Sequence, residues 1–144
     1  MRDFEITVDI DAPPERVWNV MIDVERWHEW TRSISSIHKL QTSPLDVGGR
    51  ARVVQPKLRP AIWTVTQLVQ GRNFTWQTRS PGVRVSGCHS VEPRNDGSRV
   101  TLSVRFDGVL GGLIGTILKK LNEEYLQLES RGLKQRAESE VAVH

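Results

Sequence analysis

The chain has a single cysteine, Cys88, in 144 residues. An internal disulfide and any cysteine-rich metal site are therefore excluded, in agreement with a reducing compartment. Long apolar runs are also missing: nothing approaches the ~18 to 20 residues that cross a bilayer, so no membrane span is expected. The N-terminal MRDFEITVDI carries acids and alternates apolar with polar residues from the start, without the apolar centre and small-residue cleavage site of a signal peptide. Cytoplasm is the expected location. Charge of one sign is scarce too. The formal net charge is +3, the arginines are scattered, and no basic run of the kind that marks nucleic-acid binding occurs, so no nucleic-acid partner is expected. No His-Glu-x-x-His motif or Cys/His cluster is present, and His38 and His144 have no partner at ligand spacing; neither a metal nor any other cofactor is expected. Gly-x-Ser-x-Gly is absent, and strand alternation puts Cys88 on the opposite face from His89, which argues against a Cys-His nucleophile.

What is present reads as one domain over 1–144, with a frayed tail from about residue 138, where apolar residues thin out. Phe4, Ile6, Val8 and Ile10 alternate with polar residues as in a half-buried strand. Asp11-Ala-Pro-Pro stops that strand and opens a helix carrying Val17, Trp18, Met21 and Ile22 on one face. A second helical turn runs through Glu25, Arg26 and Trp27 to about Trp30. Extended segments follow over 34–40, 50–55, around Trp63 and Val65, over Phe74 to Thr78, over Val83 to Glu92, and over Arg99 to Phe106. They are separated by Ser43-Pro44, Gly48-Gly49, Gly71, Pro81-Gly82 and Asn95-Asp96-Gly97. The last segment, Gly111 to Ala137, returns Leu110, Leu113, Ile114, Ile117, Leu118, Leu121, Tyr125 and Leu128 at helical spacing, with Glu129 placed mostly among the polar residues of the other side. Such a stripe needs a cover, and one face of an antiparallel sheet supplies it. The fold class expected is α+β.

This order, with the stretches IDAPPERVWNVMIDVERWHEW, VGGRARVVQP, FTWQTRSPGVRVSGCHSVEP and DGSRVTLSV, resembles the START-like or Bet v 1-like superfamily, and within it the bacterial polyketide cyclase/dehydrase and lipid-transport-like branch. The resemblance implies a helix-grip fold: a curved antiparallel sheet of about seven strands wrapped around a long C-terminal helix, with two short helices between strands one and two. It also implies an elongated apolar cavity between sheet and helix, which in different members binds lipids, sterols, polyketides, quinones or hormones, and in a minority supports cyclisation, dehydration or hydrolysis.

The residues point to a cavity on their own account. The inward face mixes Trp63, Phe74 and Trp76 with the small or polar Ala51, Gln55, Thr78, Gly87 and His89, and a buried polar group without a partner costs about 1 to 3 kcal/mol. Either these groups meet a ligand or they bond to one another and to trapped water in a closed core. In the first case Trp30, Trp63, Phe74 and Trp76 supply contact area, and Gln55, Thr78, His89 and Tyr125 set orientation. Val53, Val65, Val85 and Val104 from the sheet, with Ile117 and Leu121 from the helix, complete the wall. The expected partner is thus a small hydrophobic molecule, aromatic polyketide-like or lipid-like, bound by a monomer or homodimer.

Two other readings stand beside it. His89 or Tyr125 moves a proton on a bound poly-β-ketone, making the chain a cyclase or dehydratase; against this, nearly all acids fall on turns or outer faces. Alternatively the outward Arg84, Arg99 and Arg105, with Arg52 near them, form a protein-interaction face. The glycine-rich GVLGGLIG at 108–115 lacks the Lys-Ser/Thr of a phosphate-binding loop and is expected to let the last strand turn closely into the helix.

Overall fold

Alternation and punctuation in the sequence translate directly into elements. The computed structural model describes residues 2–142; His144 lies outside the described residues. In chain order it contains β1 (Arg2–Ile10), α1 (Pro14–Ile22), a 3-10 helix (Val24–Glu29), β2 (Ser36–Lys39), β3 (Arg50–Val54), β4 (Ala61–Val69), β5 (Asn73–Ser80), β6 (Val83–Arg94), β7 (Gly97–Asp107), α2 (Gly111–Ile117) and α3 (Lys119–Ala142). This is the α+β helix-grip fold.

The seven strands form one antiparallel sheet in the order β1-β7-β6-β5-β4-β3-β2. Strands two to seven are a meander of hairpins, and β1 closes it by pairing with β7 from Arg2↔Phe106 to Ile10↔Ser98. β1 and β2 therefore sit at opposite edges, and α1 with the 3-10 helix spans the width of the sheet between them. Pro14 opens α1 at a position where its missing amide costs nothing. Val17, Trp18 and Met21 on the inner face of α1 are buried, and Trp18 meets Phe74 edge-on at 6.3 Å between ring centres.

The inward face of the sheet follows the two-residue period. Ala51, Val53, Val65, Phe74, Trp76, Gly87, His89, Val91, Val100, Leu102 and Phe106 are buried. β2 is shorter than its sequence pattern, because the chain turns just before it, with the Ile34 amide bonded to the Thr31 carbonyl at 3.4 Å. A bulge between Val65 and Gln67 interrupts the β4–β5 ladder, a local bend that adds curvature.

The C-terminal helix departs from expectation. The continuous helix expected over 111–137 is two helices, broken at Leu118, whose backbone sits at φ −93° and ψ 11°. Three of the seven residues of α2 are glycine, each costing about 1 kcal/mol of helix propensity relative to alanine. Gly111 is needed for close approach instead: a Cβ there would lie 2.8 Å from the Phe106 carbonyl oxygen. α3 then runs through the segment expected to fray, as far as Ala142, and Glu138 accepts hydrogen bonds from the Asp11 amide and Lys134 Nζ. Among the described residues, no helix is long and apolar enough to cross a membrane.

Candidate ligand cavity

Between the sheet and α3 lies a cavity of about 290 Å³. Its walls are the 3-10 helix through Trp27, the sheet through Val53, Trp63, Trp76, Val85 and Val104, and the helices through Ile114, Leu118, Tyr125 and Leu126. The lining reaches solvent at Leu58, Arg59 and Ser80, where the β3–β4 loop faces the β5–β6 turn.

Aromatic rings dominate the walls. Trp27 lies 5.7 Å from Trp76 and 5.2 Å from His89, and Trp63 lies 5.9 Å from Trp76. Trp27 is held by its own indole, which donates to the Met21 carbonyl at 2.9 Å. Gly87, between Trp76 and His89 on the sheet floor, leaves space that a side chain would occupy: an added Cβ would stand 3.4 Å from the Trp76 indole and 3.7 Å from His89 Cε1.

The polar groups are few and specific. His89 is buried, stacks on Phe74 at 4.3 Å, and has Nδ1 3.4 Å from the Phe74 carbonyl oxygen. Burial pushes its pKa down to about 4, against a smaller upward pull from that carbonyl, so the ring is neutral at pH 7. Glu129 on α3 also lines the cavity. Burial raises its carboxyl to about 7, and the Ser33 hydroxyl, which donates to Oε1 at 3.3 Å, offsets only part of that. Ser33 Oγ is shared with Thr31 Oγ1 at 2.8 Å, and Gln55 Nε2 donates to the Ser33 carbonyl at 3.3 Å. Tyr125 donates to the Pro56 carbonyl and ties α3 to the β3–β4 loop; burial, then the charge of Glu124, raises its pKa.

Of the residues expected to line the site, Val53, Gln55, Trp63, Trp76, Thr78, Val85, His89, Val104 and Tyr125 do so. Five do not. Phe74 and Val65 are fully enclosed in the core behind the cavity wall. Trp30 caps the 3-10 helix, rests on Trp27 at 5.5 Å, and leaves the wall to Trp27. Ile117, the last residue of α2, is 66% exposed, and Leu121 is half-buried outside the lining.

The inward face of α3 also holds a residue that the polarity pattern places outside. Leu118, Asn122, Leu126, Glu129, Leu133 and Ala137 follow helical spacing and face inward, so Glu129 is inside rather than on the polar side. Counting the period back from the buried Leu133 and Ala137 would have found it. The outward arginines are not a free basic face either. Arg84 pairs with Asp107 at 3.7 Å, Arg99 with Asp9 at 2.9 Å, and Arg105 with Asp3 at 3.7 Å and Asp107 at 3.3 Å. Among the described residues, no group of three or more His, Cys, Asp and Glu is placed to hold a metal ion.

A family model described as polyketide cyclase/dehydrase and lipid transport matches residues 1–138. No curated protein matches the chain. Among solved structures, a START superfamily protein from Mycobacterium smegmatis superposes with TM-score 0.76 at 18% identity, covering 95% of this chain and 97% of its own. The Zhui aromatase/cyclase from Streptomyces sp. R1128 gives 0.77 at 19%, covering 97% and 95%, and a protein from Thermus thermophilus gives 0.75 at 21%, covering 94% and 97%. At these identities the likeness is one of fold.

Proposed function

Because the chain belongs to the polyketide cyclase/dehydrase and lipid-transport family, we propose that it binds a small hydrophobic molecule between its sheet and α3, and that the molecule is a compact aromatic or polyketide-like ring system. One observation carries this reading: a cavity walled by three indoles, Trp27, Trp63 and Trp76, with a handful of polar groups gathered at His89, Gln55 and Glu129. Its volume, about 290 Å³, is at the low end of small-molecule sites, which favours fused rings over a long acyl chain. The aromatase/cyclase name of the Streptomyces neighbour points to the same chemical class. The test is native mass spectrometry of freshly purified protein with organic extraction, alongside titration of anilinonaphthalene sulfonate followed by tryptophan emission. A co-purifying aromatic compound, or saturable quenching, is the expected result; a bare chain with no quenching by any hydrophobic probe refutes it.

A catalytic reading is second, and Glu129 favours it. A neutral His89 and a carboxyl titrating near neutrality line one largely apolar cavity, as general base and general acid. On a bound β-hydroxyketone, His89 would take the proton from the carbon next to the carbonyl. Glu129 would give its proton to the departing hydroxyl, so that one water leaves and a double bond forms. The proton on His89 then returns to Glu129. Loss of one water from a model substrate, abolished by Glu129→Gln with binding retained, supports it; unchanged substrate with the native protein removes it.

A further inference from the structure

The outer surface of the cavity's lid carries an unpartnered apolar face. Among the described residues, four of the eight exposed large apolar side chains, Val109, Leu110, Leu113 and Ile117, fall on the nine residues that lead into and form α2. Val109 is 93% exposed, Leu113 59% and Ile117 66%. The inner side of the same helix presents Ile114, followed by Leu118, to the cavity, so α2 is a thin lip, apolar on both faces, at the opening. Its position is fixed: the Leu110 amide bonds to the Gly82 carbonyl at 2.8 Å, and the Leu110 side chain covers Gly82 so closely that an added Cβ there would stand 2.8 Å from Leu110 Cδ1.

The lip is bordered by cations. Lys119 and Lys120 follow α2 directly and are exposed, and Lys57 and Arg59 project from the β3–β4 loop that forms the other side of the opening. Among the described residues, Lys57, Arg59 and Lys120 make no ion pair, while Lys119 is 4.0 Å from Glu123. A second copy of the chain is a poor occupant, because a two-fold contact would set these cations against their own counterparts. An apolar patch edged by unpaired cations is complementary to an anionic lipid surface, where the apolar side chains enter the acyl boundary and the cations meet headgroups.

We infer that the α2 lip, with Val109, Leu113 and Ile117 as its contact and Lys57, Arg59, Lys119 and Lys120 as its border, docks reversibly on anionic membrane surfaces and sets the cavity opening against the bilayer. Its geometry is independent of what the cavity holds; its purpose, exchange of an apolar ligand with the membrane, rests on the ligand-binding reading above.

The experiment is co-sedimentation of the full chain with vesicles of three parts phosphatidylcholine to one part phosphatidylglycerol, and with phosphatidylcholine alone. The native chain is expected in the pellet with the anionic vesicles only, and less so at high salt. Leu113→Asp/Ile117→Asp, both at exposed positions that the fold does not use, abolishes pelleting, and each of Lys119→Gln and Lys120→Gln lowers partitioning by about five-fold. Absence of native protein from both pellets overturns the proposal, as does equal binding to neutral vesicles or a dimer in solution that Ile117→Asp dissolves. Quenching by anilinonaphthalene sulfonate, measured on the same samples, separates the two readings: docking without quenching leaves this inference standing and removes the ligand cavity, and quenching without docking does the reverse.

Discussion

Ser33 donates a hydrogen bond to Glu129 Oε1 at 3.3 Å across 96 residues of chain, joining the loop before β2 to the cavity face of α3. Thr31 shares the Ser33 hydroxyl and Gln55, just past β3, reaches the Ser33 carbonyl, so Ser33 ties both segments to α3. A buried carboxylate is comfortable only with two or three donors. The Ser33 hydroxyl alone leaves the protonated form favoured, which is why this acid titrates near 7.

The first prediction concerns pH. His89 has its folded pKa depressed from 6.5 to about 4, so its contribution to stability is present above pH 6.5 and is lost as pH falls towards 4. Glu129 is raised from 4.5 to about 7, so its contribution is complete below pH 4.5 and is lost as pH rises through 7. Each shift corresponds to about 3 kcal/mol. The two slopes oppose one another between pH 4.5 and 6.5 and largely cancel. In Glu129→Gln only the His89 limb remains, so urea midpoints should climb from pH 4.5 to 6.5 in the variant while the native profile stays comparatively flat. Superimposable profiles would show that Glu129 is not a buried acid.

The contrast between His89 and Glu129 also shows how far the sequence can be read. His89 was placed inward correctly because strand alternation has a period of two and hairpin signals on both sides fixed its phase. The sheet, its hairpins and the eight expected lining side chains that the strands and their ends carry were legible for the same reason; Tyr125 came from the helical stripe. Glu129 was not, because a charged residue in a helix reads as solvent-facing, although it stands four residues after Tyr125 and eleven after Leu118, on the face that both present to the cavity. Trp30 was expected in the wall, but it stands one residue past the 3-10 helix, as its cap, and the wall at that point is Trp27.

Gly87 gives a second prediction, in which stability and binding move apart. Its backbone φ is not positive, and an added Cβ would sit at ordinary contact distance, 3.4 Å, from the Trp76 indole. Gly87→Ala should therefore keep or raise stability, by about 0.5 kcal/mol from reduced chain entropy. The methyl takes cavity space, and overpacking costs about 1 to 3 kcal/mol. The largest probe accepted by the native chain should bind at least ten-fold more weakly. Fluorescence titration with probes of increasing size, beside a thermal melt, checks both halves.

Gly132 makes the opposite case. A Cβ there would lie 1.9 Å from the Trp30 carbonyl oxygen and 2.9 Å from its carbon, both backbone atoms that cannot swing aside. Alanine gains about 1 kcal/mol of helix propensity at an ordinary site. Here α3 would have to lift from the segment after the 3-10 helix, and Gly132→Ala should lower the melting temperature despite that gain. A melt at or above the native value would mean that helix and segment can separate freely.

Tyr125 provides the last prediction. Its hydroxyl donates to the Pro56 carbonyl, at the start of the loop that carries Leu58 and Arg59 to the cavity opening, and Lys57 in that loop holds a φ of 69°. Tyr125→Phe keeps the ring against the cavity and removes only the tie. A single neutral hydrogen bond is worth about 1 kcal/mol net, which for a chain of this size is a loss of about 2 to 4 °C in melting temperature. The larger effect should be kinetic, because the loop that closes the opening is released while the walls that hold a ligand are unchanged. Stopped-flow release of anilinonaphthalene sulfonate should accelerate several-fold, with the affinity falling mainly through that rate. An unchanged release rate would place the ligand's exit elsewhere than past the β3–β4 loop. Loss of substrate turnover with unchanged release would instead give the hydroxyl a chemical role.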